Sequence, residues 1–385
     1  MKEEWKKVKL GEICEYVTSG GTPLASREDY YNPGTIPWLK TKEVNYCRIT
    51  ETENYISEKG LNNSSAKIIP ENSVIMAMYG QGDTAGRVAI NKIPLTTNQA
   101  CCNLIINKEK ADYNFIYYKL STLYDTIVAL KSGGAQPNLN AGKVKGLEIT
   151  LPPLPTQQKI ASVLSAYDDL IENNRRQIKL LEEAALKLYK EWFVKLNFPG
   201  HETTKIADGV PDGWKKGKLS DLGEFKRGKT ITKDQTISGS VPVVAGGLEP
   251  AYYHNEFNTE SPVITVSGSG ANAGYTRMYN ERVWASDCSF LDSSKCDCLF
   301  FIYCVLKSST AIVDSLQKGA AQPHVYAKDI NALEILIPNK NILEKFEKLT
   351  KPYFNKIKNC QLSIVNLQSA RDKLLPKLMN GEIEV

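Results

Sequence analysis

The sequence lacks the long apolar runs that membrane proteins need. No stretch approaches about 18 consecutive apolar residues, and the first residues lack the apolar segment and cleavage site of a secretory signal. We therefore expect a protein that stays in the cytoplasm. Histidine is also scarce. His201, His254 and His324 are the only three, and none belongs to a recognisable nucleophile motif.

Metal-binding patterns and a strong charge are missing as well. The nine cysteines include the pairs Cys101 with Cys102 and Cys296 with Cys298, but no C-x-x-C motif and no histidine at ligand spacing. We therefore expect buried, reduced thiols. The formal net charge of +5 is mild, so it permits nucleic-acid binding without arguing for it.

What the sequence does contain is a long internal repeat. The phrase "SGGAQPNLN" at 132–140 returns 186 positions later as "KGAAQPHVY", and the same spacing aligns "LEITLP" at 147–152 with "LEILIP". Further upstream, "WKKVKLGEICEY" at 5–16 resembles the later "WKKGKLSDLGEF", and "GQGDTAG" at 80–86 resembles the later "GSGANAG". A unit of about 200 residues is far longer than a solenoid repeat, so we interpret the chain as a tandem duplication of one domain.

Each copy has the same order of predicted elements. Short apolar runs separated by glycine, proline and asparagine indicate strands and loops, and a long helical segment follows them. These patterns predict an α+β fold of two similar globular domains, each followed by a long helix. The predicted boundaries are 1–155 for the first domain, 156–197 for the first long helix, 198–338 for a linker and the second domain, and 339–385 for the second long helix.

The two helical segments carry heptad repeats of apolar residues. Such repeats predict that the helices pair as an antiparallel coiled coil, with a pseudo-twofold axis relating the two domains. Thr156 is the expected cap of the first helix, and Pro352 and Pro376 are expected to kink or break the second. The predicted pairing residues are Leu164, Tyr167, Ile171, Asn174, Ile178, Leu181 and Leu188 in the first helix and Tyr353, Ile357, Ile364, Leu367 and Leu374 in the second.

This architecture suits two classes of protein. Two similar domains held apart by paired helices fit a long target that is itself roughly twofold, such as duplex DNA read at two separated sites. A structural adaptor that bridges two partner proteins without binding DNA is the alternative, and the architecture alone leaves it open.

Four segments carry a more specific likeness. They are "SGGTP" at 19–23, "IPWLKTKEV" at 36–44, "LPPLPTQQKIASVL" at 151–164 and the closing "LLPKLMNGEIEV" at 374–385. In this order, and with the internal duplication, the chain resembles the DNA specificity subunits of type I restriction-modification enzymes. The resemblance covers the whole chain.

The resemblance implies a division of labour between subunits. It implies a non-catalytic subunit whose two target-recognition domains each read one half of a bipartite DNA sequence. The helices would set the gap between the halves and dock two methyltransferase subunits, and restriction subunits are further implied partners. S-adenosylmethionine, ATP and Mg are implied for those partners, and no cofactor or metal is expected in this chain.

Two local patterns point instead to an enzyme. The glycines of "GSGANAG" imitate a dinucleotide-binding loop, but their spacing is G-x-G-x-x-x-G and the residues after them do not predict a helix. Asp212, Glu224 and Lys226 have the residue types of a metal-dependent nuclease, but Val17 occupies the lysine position in the first copy. A nuclease is therefore the third hypothesis.

Polar and basic side chains on glycine-marked loops are the candidates for DNA contact. Arg and Lys suit guanine, Asn and Gln suit adenine, and basic or hydroxyl groups suit phosphates. Gln136 and Gln322 are shared by both copies, which favours a structural or partner-contact role for them over base choice. The candidates in the first copy are Ser19, Thr22, Lys40, Lys42, Tyr79, Gln81, Arg87, Asn98, Gln99 and Asn138. Those in the second copy are Lys226, Arg227, Lys229, Ser267, Ser269, Asn272, Tyr275, Arg277, His324 and Tyr326.

Overall fold

The fold is taken from a computed structural model, which describes residues 5–132, 138–308 and 323–385. The chain divides into two compact units. Unit 1 is Met1–Glu172 with Val365–Val385, and unit 2 is Asn173–Ile364. Each unit therefore contains one globular part and a portion of each long helix.

Unit 1 is built from short strands and helices that precede a long helix. All residues of its two central strands are buried, which is typical of a sheet covered on both faces. The strands are β1 Lys6–Lys9, β2 Cys14–Ser19, β3 Ile36–Leu39, β4 Arg48–Ile49, β5 Tyr55–Ile56, β6 Val74–Ala77, β7 Val88–Asn91, β8 Thr96–Thr97, β9 Cys101–Ile106 and β10 Glu148–Leu151. The helices are α1 Glu58–Asn62, α2 Tyr113–Ser121, α3 Tyr124–Ala129, α4 Ala141–Gly146 and the long α5 Leu154–Tyr189.

Three sheets organise unit 1. The largest has the strand order β2-β9-β6-β7-β4, a second has the order β5-β3-β8, and β1 pairs with β10. The main core lies between the largest sheet and the helices, where Phe115 of α2 and Leu164 of α5 pack with Leu10 and Leu104. Burial of these apolar side chains is the main stabilising contribution to the unit.

Unit 2 repeats this set of elements. Its strands are β11 Ile206–Ala207, β12 Val210–Pro211, β13 Lys215–Lys218, β14 Lys226–Arg227, β15 Val241–Val244, β16 Tyr252–His254, β17 Val263–Ser267, β18 Thr276–Tyr279, β19 Trp284–Ala285, β20 Cys288–Asp292 and β21 Glu334–Ile337. Among its described residues the helices are α6 Leu299–Ser308, α7 Ala327–Asn331 and the long α8 Lys340–Met379.

The sheet topology confirms the tandem duplication. The orders β14-β20-β17-β18, β16-β15-β19 and β13-β21 match the three sheets of unit 1 strand for strand. Even the mixed pairing is repeated, because β3 runs parallel to β8 and β15 runs parallel to β19. The described strands differ in two respects: β4 extends the largest sheet only in unit 1, and the hairpin of β11 and β12 lies in the linker before unit 2's sheets.

The two-stranded sheets join the repeated phrases to each other. In unit 1, Lys6 lies opposite Leu151 and Lys9 opposite Glu148. In unit 2 the corresponding pairs join the second "WKK" phrase to "LEILIP" in the same register. In both copies the ladder therefore holds the start of the globular part against its last strand, directly before the long helix.

The long helices begin and continue differently from the sequence prediction. Helix α5 starts at Leu154, so Thr156 lies inside the first turn and is not the cap. Pro155 is tolerated there because first-turn N–H groups have no intrahelical acceptor. Helix α8 continues through Pro352 and Pro376, so of the kink or break expected there the break does not occur. Tertiary packing of its apolar face outweighs the lost backbone hydrogen bonds.

Within each unit, the portions of α5 and α8 pack antiparallel, as predicted. In unit 1, Arg371 donates to Asp168 at 2.5 Å, and Lys159, nearer the start of α5, donates to the Val385 backbone oxygen at 3.4 Å. In unit 2, the Cys360 thiol lies 3.9 Å from the Gln177 side-chain oxygen, and the rings of Tyr189, later in α5, and Phe346, earlier in α8, have centres 6.5 Å apart. Leu164, Ile171 and Ile357 are buried, and Tyr167, Asn174, Ile178, Leu181, Leu188, Tyr353, Ile364, Leu367 and Leu374 are half-buried.

The cysteines of the chain are reduced. All nine are free thiols; eight are buried and Cys47 is half-buried, which confirms the expected reduced thiols. Within the described ranges, no three His, Cys, Asp or Glu side chains come together as a metal site. Among the helices of those ranges, none is long and apolar enough to cross a membrane.

One half-buried carboxyl group of unit 2 accepts hydrogen bonds from the first turn of a helix. Glu347 of α8 accepts hydrogen bonds from the backbone N–H of Phe301 at 2.8 Å and of Phe300 at 3.4 Å, in the first turn of α6. Burial raises the pKa of Glu347 from its ordinary 4.5 to about 7. The folded chain therefore binds this proton more tightly than the unfolded chain does.

Glu347→Gln is expected to remove a pH-dependent loss of stability. Because the folded pKa is the higher one, wild-type stability falls as the pH rises from 4.5 to about 7. The variant, whose amide oxygen still accepts the N–H groups, should be more stable than wild type above pH 7 by up to about 3 kcal/mol. Denaturant unfolding at pH 5 and pH 8 checks this. Equal differences between the two proteins at both pH values would contradict it.

Candidate nucleic-acid interface

In both units the loop after the first strand of the largest sheet is held in the same way. We name this loop, after β2 or β14, loop A. Gly20 donates its backbone N–H to Cys101 O at 3.2 Å, and Gly228 donates to Cys288 O at 2.8 Å. A Cβ atom on Gly20 or Gly228 would lie 2.2 or 2.3 Å from a backbone oxygen. Only glycine allows this approach, so loop A has one fixed course in both copies.

The turn between the central strands is also shared. We name this turn, between β6 and β7 or between β17 and β18, loop B. Gly86 donates to Ala77 O at 2.8 Å, and Gly274 donates to Ser267 O at 2.9 Å. Both glycines have a left-handed backbone, with φ of 97° and 88°. Counted between these bonded residues, loop B is two residues longer in unit 1, so the two copies present different side chains on one frame.

The described end of the repeated phrase, residues 138–140 in unit 1 and 323–326 in unit 2, supplies the third loop, loop C, which precedes α4 or α7. Leu139 donates to Met78 O at 3.0 Å, and Val325 donates to Gly268 O at 3.1 Å, which places loop C against loop B in each unit. The shared residues Gln136 and Gln322 lie outside the described residues. Loops A, B and C thus form one surface at the strand ends in each unit, which we name the loop face.

Most of the unit 1 candidates lie on this face or beside it. The Thr22 hydroxyl of loop A forms a hydrogen bond with the Gln99 side chain, which joins loop A to the turn before β9. Burial raises the pKa of the half-buried Tyr79 hydroxyl, so this group is a neutral donor. Ser19, Thr22 and Gln99 are exposed, as is Gln81 in loop B; Tyr79, Arg87, Asn98 and Asn138 are half-buried.

The basic candidates of unit 1 already have partners. Arg87 donates to Asp83 at 2.6 Å and to the Asn45 side chain at 2.9 Å. The hydrogen bond from Arg87 lowers the pKa of the Asp83 carboxyl. Lys42 forms an ion pair with Glu53, and Lys40 lies 4.9 Å above the Trp38 ring. Most of the positive charge near this face is therefore balanced locally.

Unit 2 presents its positive charge more openly. Lys226 and Arg227 are exposed on the short strand β14, directly before loop A, and neither forms an ion pair with any residue in the described part of the chain. Lys229 is exposed and lies 5.8 Å from the Trp284 ring centre. Arg277 differs, because it donates to Glu249 at 3.2 Å and to Leu248 O at 2.8 Å.

Several polar candidates of unit 2 form hydrogen bonds that stabilise loop B. Ser267 is 3% exposed, and its hydroxyl donates to Gly246 O at 3.0 Å, so it supports the loop from behind. Ser269 donates to Asp287 at 2.6 Å. Asn272 is half-buried, with its amide 3.5 Å from the same Gly246 oxygen. Ser269 and Asn272 remain accessible at the face, and Ser267 does not.

Aromatic side chains distinguish loop C of unit 2. The rings of His324 and Tyr326 stack with centres 6.0 Å apart, where unit 1 has Asn138 and Asn140. Asn140 accepts from Lys143 N at 2.9 Å and caps α4, so its side chain is committed to the fold. The exposed Tyr275 completes the unit 2 candidates, 5.7 Å from the Lys307 ammonium. The two loop faces thus differ in shape and in hydrogen-bonding groups.

The sequence prediction did not include two tryptophans that shape loop A. The Trp38 indole N–H donates to Gly21 O at 3.0 Å, and the Trp284 N–H donates to Lys229 O at 2.8 Å. The tryptophans belong to β3 and β19, which are not equivalent strands, so alignment of the two copies gives no signal for them. In the sequence, these tryptophans are marked only by a glycine-containing loop and a nearby lysine.

Three comparisons relate the chain to known proteins. The family model "Type I restriction modification DNA specificity domain" matches residues 2–183 and 211–365. The MjaIX specificity subunit of Methanocaldococcus jannaschii, a type I restriction enzyme subunit, is 31% identical over 100% of this chain and 94% of its own length. The EcoR124I/EcoR124II specificity subunit of Escherichia coli is 30% identical over 52% of this chain and 50% of its own length. The solved S subunit of the type I restriction-modification system of M. genitalium has the same fold, with a TM-score of 0.61, 18% identity and coverage of 98% and 96%.

Proposed function

Because this chain belongs to the type I restriction modification DNA specificity family, we propose that unit 1 and unit 2 each read one half of a bipartite DNA sequence. The chain is a non-catalytic specificity subunit, and it provides sequence-specific DNA recognition to a type I restriction-modification complex. A DNA-free adaptor and a nuclease are both set aside by this membership.

One observation carries the proposal. The same backbone frame of loops A, B and C occurs twice, and its side chains differ between the copies. A shared frame with variable side chains is suited to reading different base edges with one docking geometry. Asn138 in unit 1 and the His324–Tyr326 stack in unit 2 are the sharpest difference.

We propose distinct roles for the residues of the two faces. Basic groups bind phosphates, and neutral amides, hydroxyls and aromatic groups read bases. Ser267 is left out because it is buried. The proposed contacts of unit 1 are Ser19, Thr22, Lys40, Lys42, Tyr79, Gln81, Arg87, Asn98, Gln99 and Asn138. Those of unit 2 are Lys226, Arg227, Lys229, Ser269, Asn272, Tyr275, Arg277, His324 and Tyr326.

The long helices are proposed to set the gap between the half-sites and to dock partners. Helices α5 and α8 expose large apolar side chains to solvent, including Leu180 at 57%, Leu362 at 59% and Val365 at 60%. Exposed apolar groups on rigid helices are typical of subunit interfaces. We propose two methyltransferase subunits as the partners on this surface, with restriction subunits joining the complex in the cytoplasm. S-adenosylmethionine, ATP and Mg would serve those subunits.

Mapping methylated bases in DNA of cells that express the complex tests the function. The expected result is one split motif with a modified adenine in each half. Replacement of unit 2's loop C residues by those of unit 1, H324N with Y326N, should change only one half of the motif. A continuous motif, or no sequence preference in the assembled complex, would overturn the proposal.

A further inference from the structure

Unit 1 contains a cavity of about 740 Å³ where helix α5 begins and helix α8 ends. Trp5, Lys119 and Ile160 line it from the globular part and α5, and Met379 and Ile383 line it from the end of the chain. The loop face lies elsewhere, because none of the described residues of loops A, B and C lines this cavity. The cavity is therefore separate from the proposed DNA-binding surface of unit 1.

Lys119 is the unusual member of the lining. Its residue is 6% exposed, and burial lowers the pKa of its ammonium group. The ammonium donates to Met379 O at 2.9 Å and lies 5.6 Å from the Trp5 ring centre. Glu384 is the acidic side chain among the described lining residues, and it forms no ion pair with Lys119. A buried cation without an anion is costly, because carbonyl and ring contacts replace its hydration only in part.

The duplication shows that the fold does not need this lysine. The segment "FIYYKL" of α2 aligns with "FIYCVL" of α6, so Lys119 corresponds to Val305. Val305 is 3% exposed in the apolar core of unit 2. The fold that the two units share can therefore form with an apolar residue at this position, and Lys119 is specific to unit 1.

The second copy also shows what fills the equivalent place. Trp214 corresponds to Trp5 in the repeated "WKK" phrase, and its ring packs against Phe198 with centres 4.7 Å apart. Phe198 is 3% exposed and stands two residues after Leu196, a left-handed residue that follows the long helix. A bulky side chain from the segment after the helix thus closes the site in unit 2.

The corresponding residue in unit 1 is too small to close the site. Gly381 is the left-handed residue after α8, and Ile383 stands two residues beyond it. Ile383 remains 38% exposed at the cavity. In unit 2 the aromatic side chain of Phe198 fills this space. In unit 1 the corresponding space beside Lys119 stays open.

We infer that this cavity docks a segment of a partner protein that presents a bulky apolar side chain next to a carboxylate. The apolar side chain packs on Trp5, as Phe198 packs on Trp214, and the carboxylate pairs with Lys119. The exposed Lys159 at the rim, which donates to Val385 O at 3.4 Å, is the second basic residue of the lining, and Glu384 is its acidic residue. The inference rests on the proposed function, because the partner is the methyltransferase subunit with which the chain assembles.

Two variants that copy unit 2 into unit 1 test the inference. Lys119→Val removes the buried cation, and Ile383→Phe fills the cavity from within. Each should raise the melting temperature of the chain by about 2 °C or more while weakening its affinity for the methyltransferase subunit at least about tenfold. Differential scanning calorimetry and titration calorimetry measure the two quantities. Lys67→Val, at an exposed position of unit 1, is the control with the same charge change and should alter neither.

The outcomes separate the inference from the proposed function. If wild type binds the methyltransferase subunit and both variants bind equally well, the docking inference is wrong and the proposed function stands. If wild type fails to bind that subunit at all, the proposed partner is wrong. Millimolar inorganic phosphate or glutarate that stabilises wild type but not Lys119→Val, without any loss of partner affinity in the variants, would assign the cavity to a small anion and overturn docking.

Discussion

Asp168→Ala is expected to lower the free energy of unfolding by about 3 kcal/mol, because it leaves a buried hydroxyl without its acceptor and a half-buried guanidinium with only an exposed carboxylate. Asp168 of α5 is 7% exposed. It accepts from Tyr118 of α2 at 2.5 Å and from Arg371 of α8 at 2.5 Å. One carboxylate therefore joins three helices of unit 1. Burial and the Asp168 charge raise the pKa of Tyr118, so this hydroxyl stays a donor.

Asp372→Ala is the matched control for this prediction. Asp372 also pairs with Arg371, at 2.8 Å, but its side chain is 60% exposed. An exposed ion pair contributes about 0–1 kcal/mol, so the control should lose little. Denaturant unfolding of both variants measures the difference. Similar losses in the two would show that burial of the Asp168 network is not what stabilises unit 1.

The triple variant K226A/R227A/K229A is expected to weaken duplex binding about 100-fold at moderate salt. These exposed basic side chains lie at β14 and loop A of unit 2, where we propose that phosphates bind. A decrease of about 1 kcal/mol or more in binding free energy for each charged group removed accounts for the magnitude. The slope of log affinity against log salt should become shallower by up to about 2.7, or about 0.9 for each phosphate that is no longer neutralised.

A second triple variant separates local contact from overall charge. K215A/K216A/K218A removes the same charge from the exposed strand β13, which lies in the ladder next to the long helix. It should leave the salt slope nearly unchanged. Fluorescence anisotropy with a cognate duplex over a salt series measures both slopes. Equal slopes in the two variants would mean that unit 2 does not bind phosphates through loop A.

Much of the architecture was predictable from the sequence because the chain repeats itself. The phrases around Trp5 and Trp214, and the two "LEI" runs, form the same ladder in the same register in both units. Glycine positions predicted the loops, since Gly86 and Gly274 adopt the left-handed backbone that other residues avoid. The heptads predicted that the two long helices pack against each other.

Other features depend on contacts between residues distant in sequence. No local pattern pairs Arg277 with Glu249 or Arg371 with Asp168, because folding alone brings them together. Ser267 is buried like every other residue of strand β17, and the residue at which this strand ends cannot be assigned from sequence patterns. The break predicted at Pro352 was wrong because tertiary packing overrides local helix propensity in α8.

The two-stranded ladders have a consequence for how such a chain diversifies. In each unit the ladder holds the entry and exit strands of the globular part side by side, at about 5 Å between paired Cα atoms. The globular part between these two strands is an insertion, and its two ends stay adjacent whatever its length or sequence. Recombination or loop remodelling within the insertion therefore transmits no displacement to the helix that follows, so a new target can be acquired while the surface that partners bind is inherited unchanged.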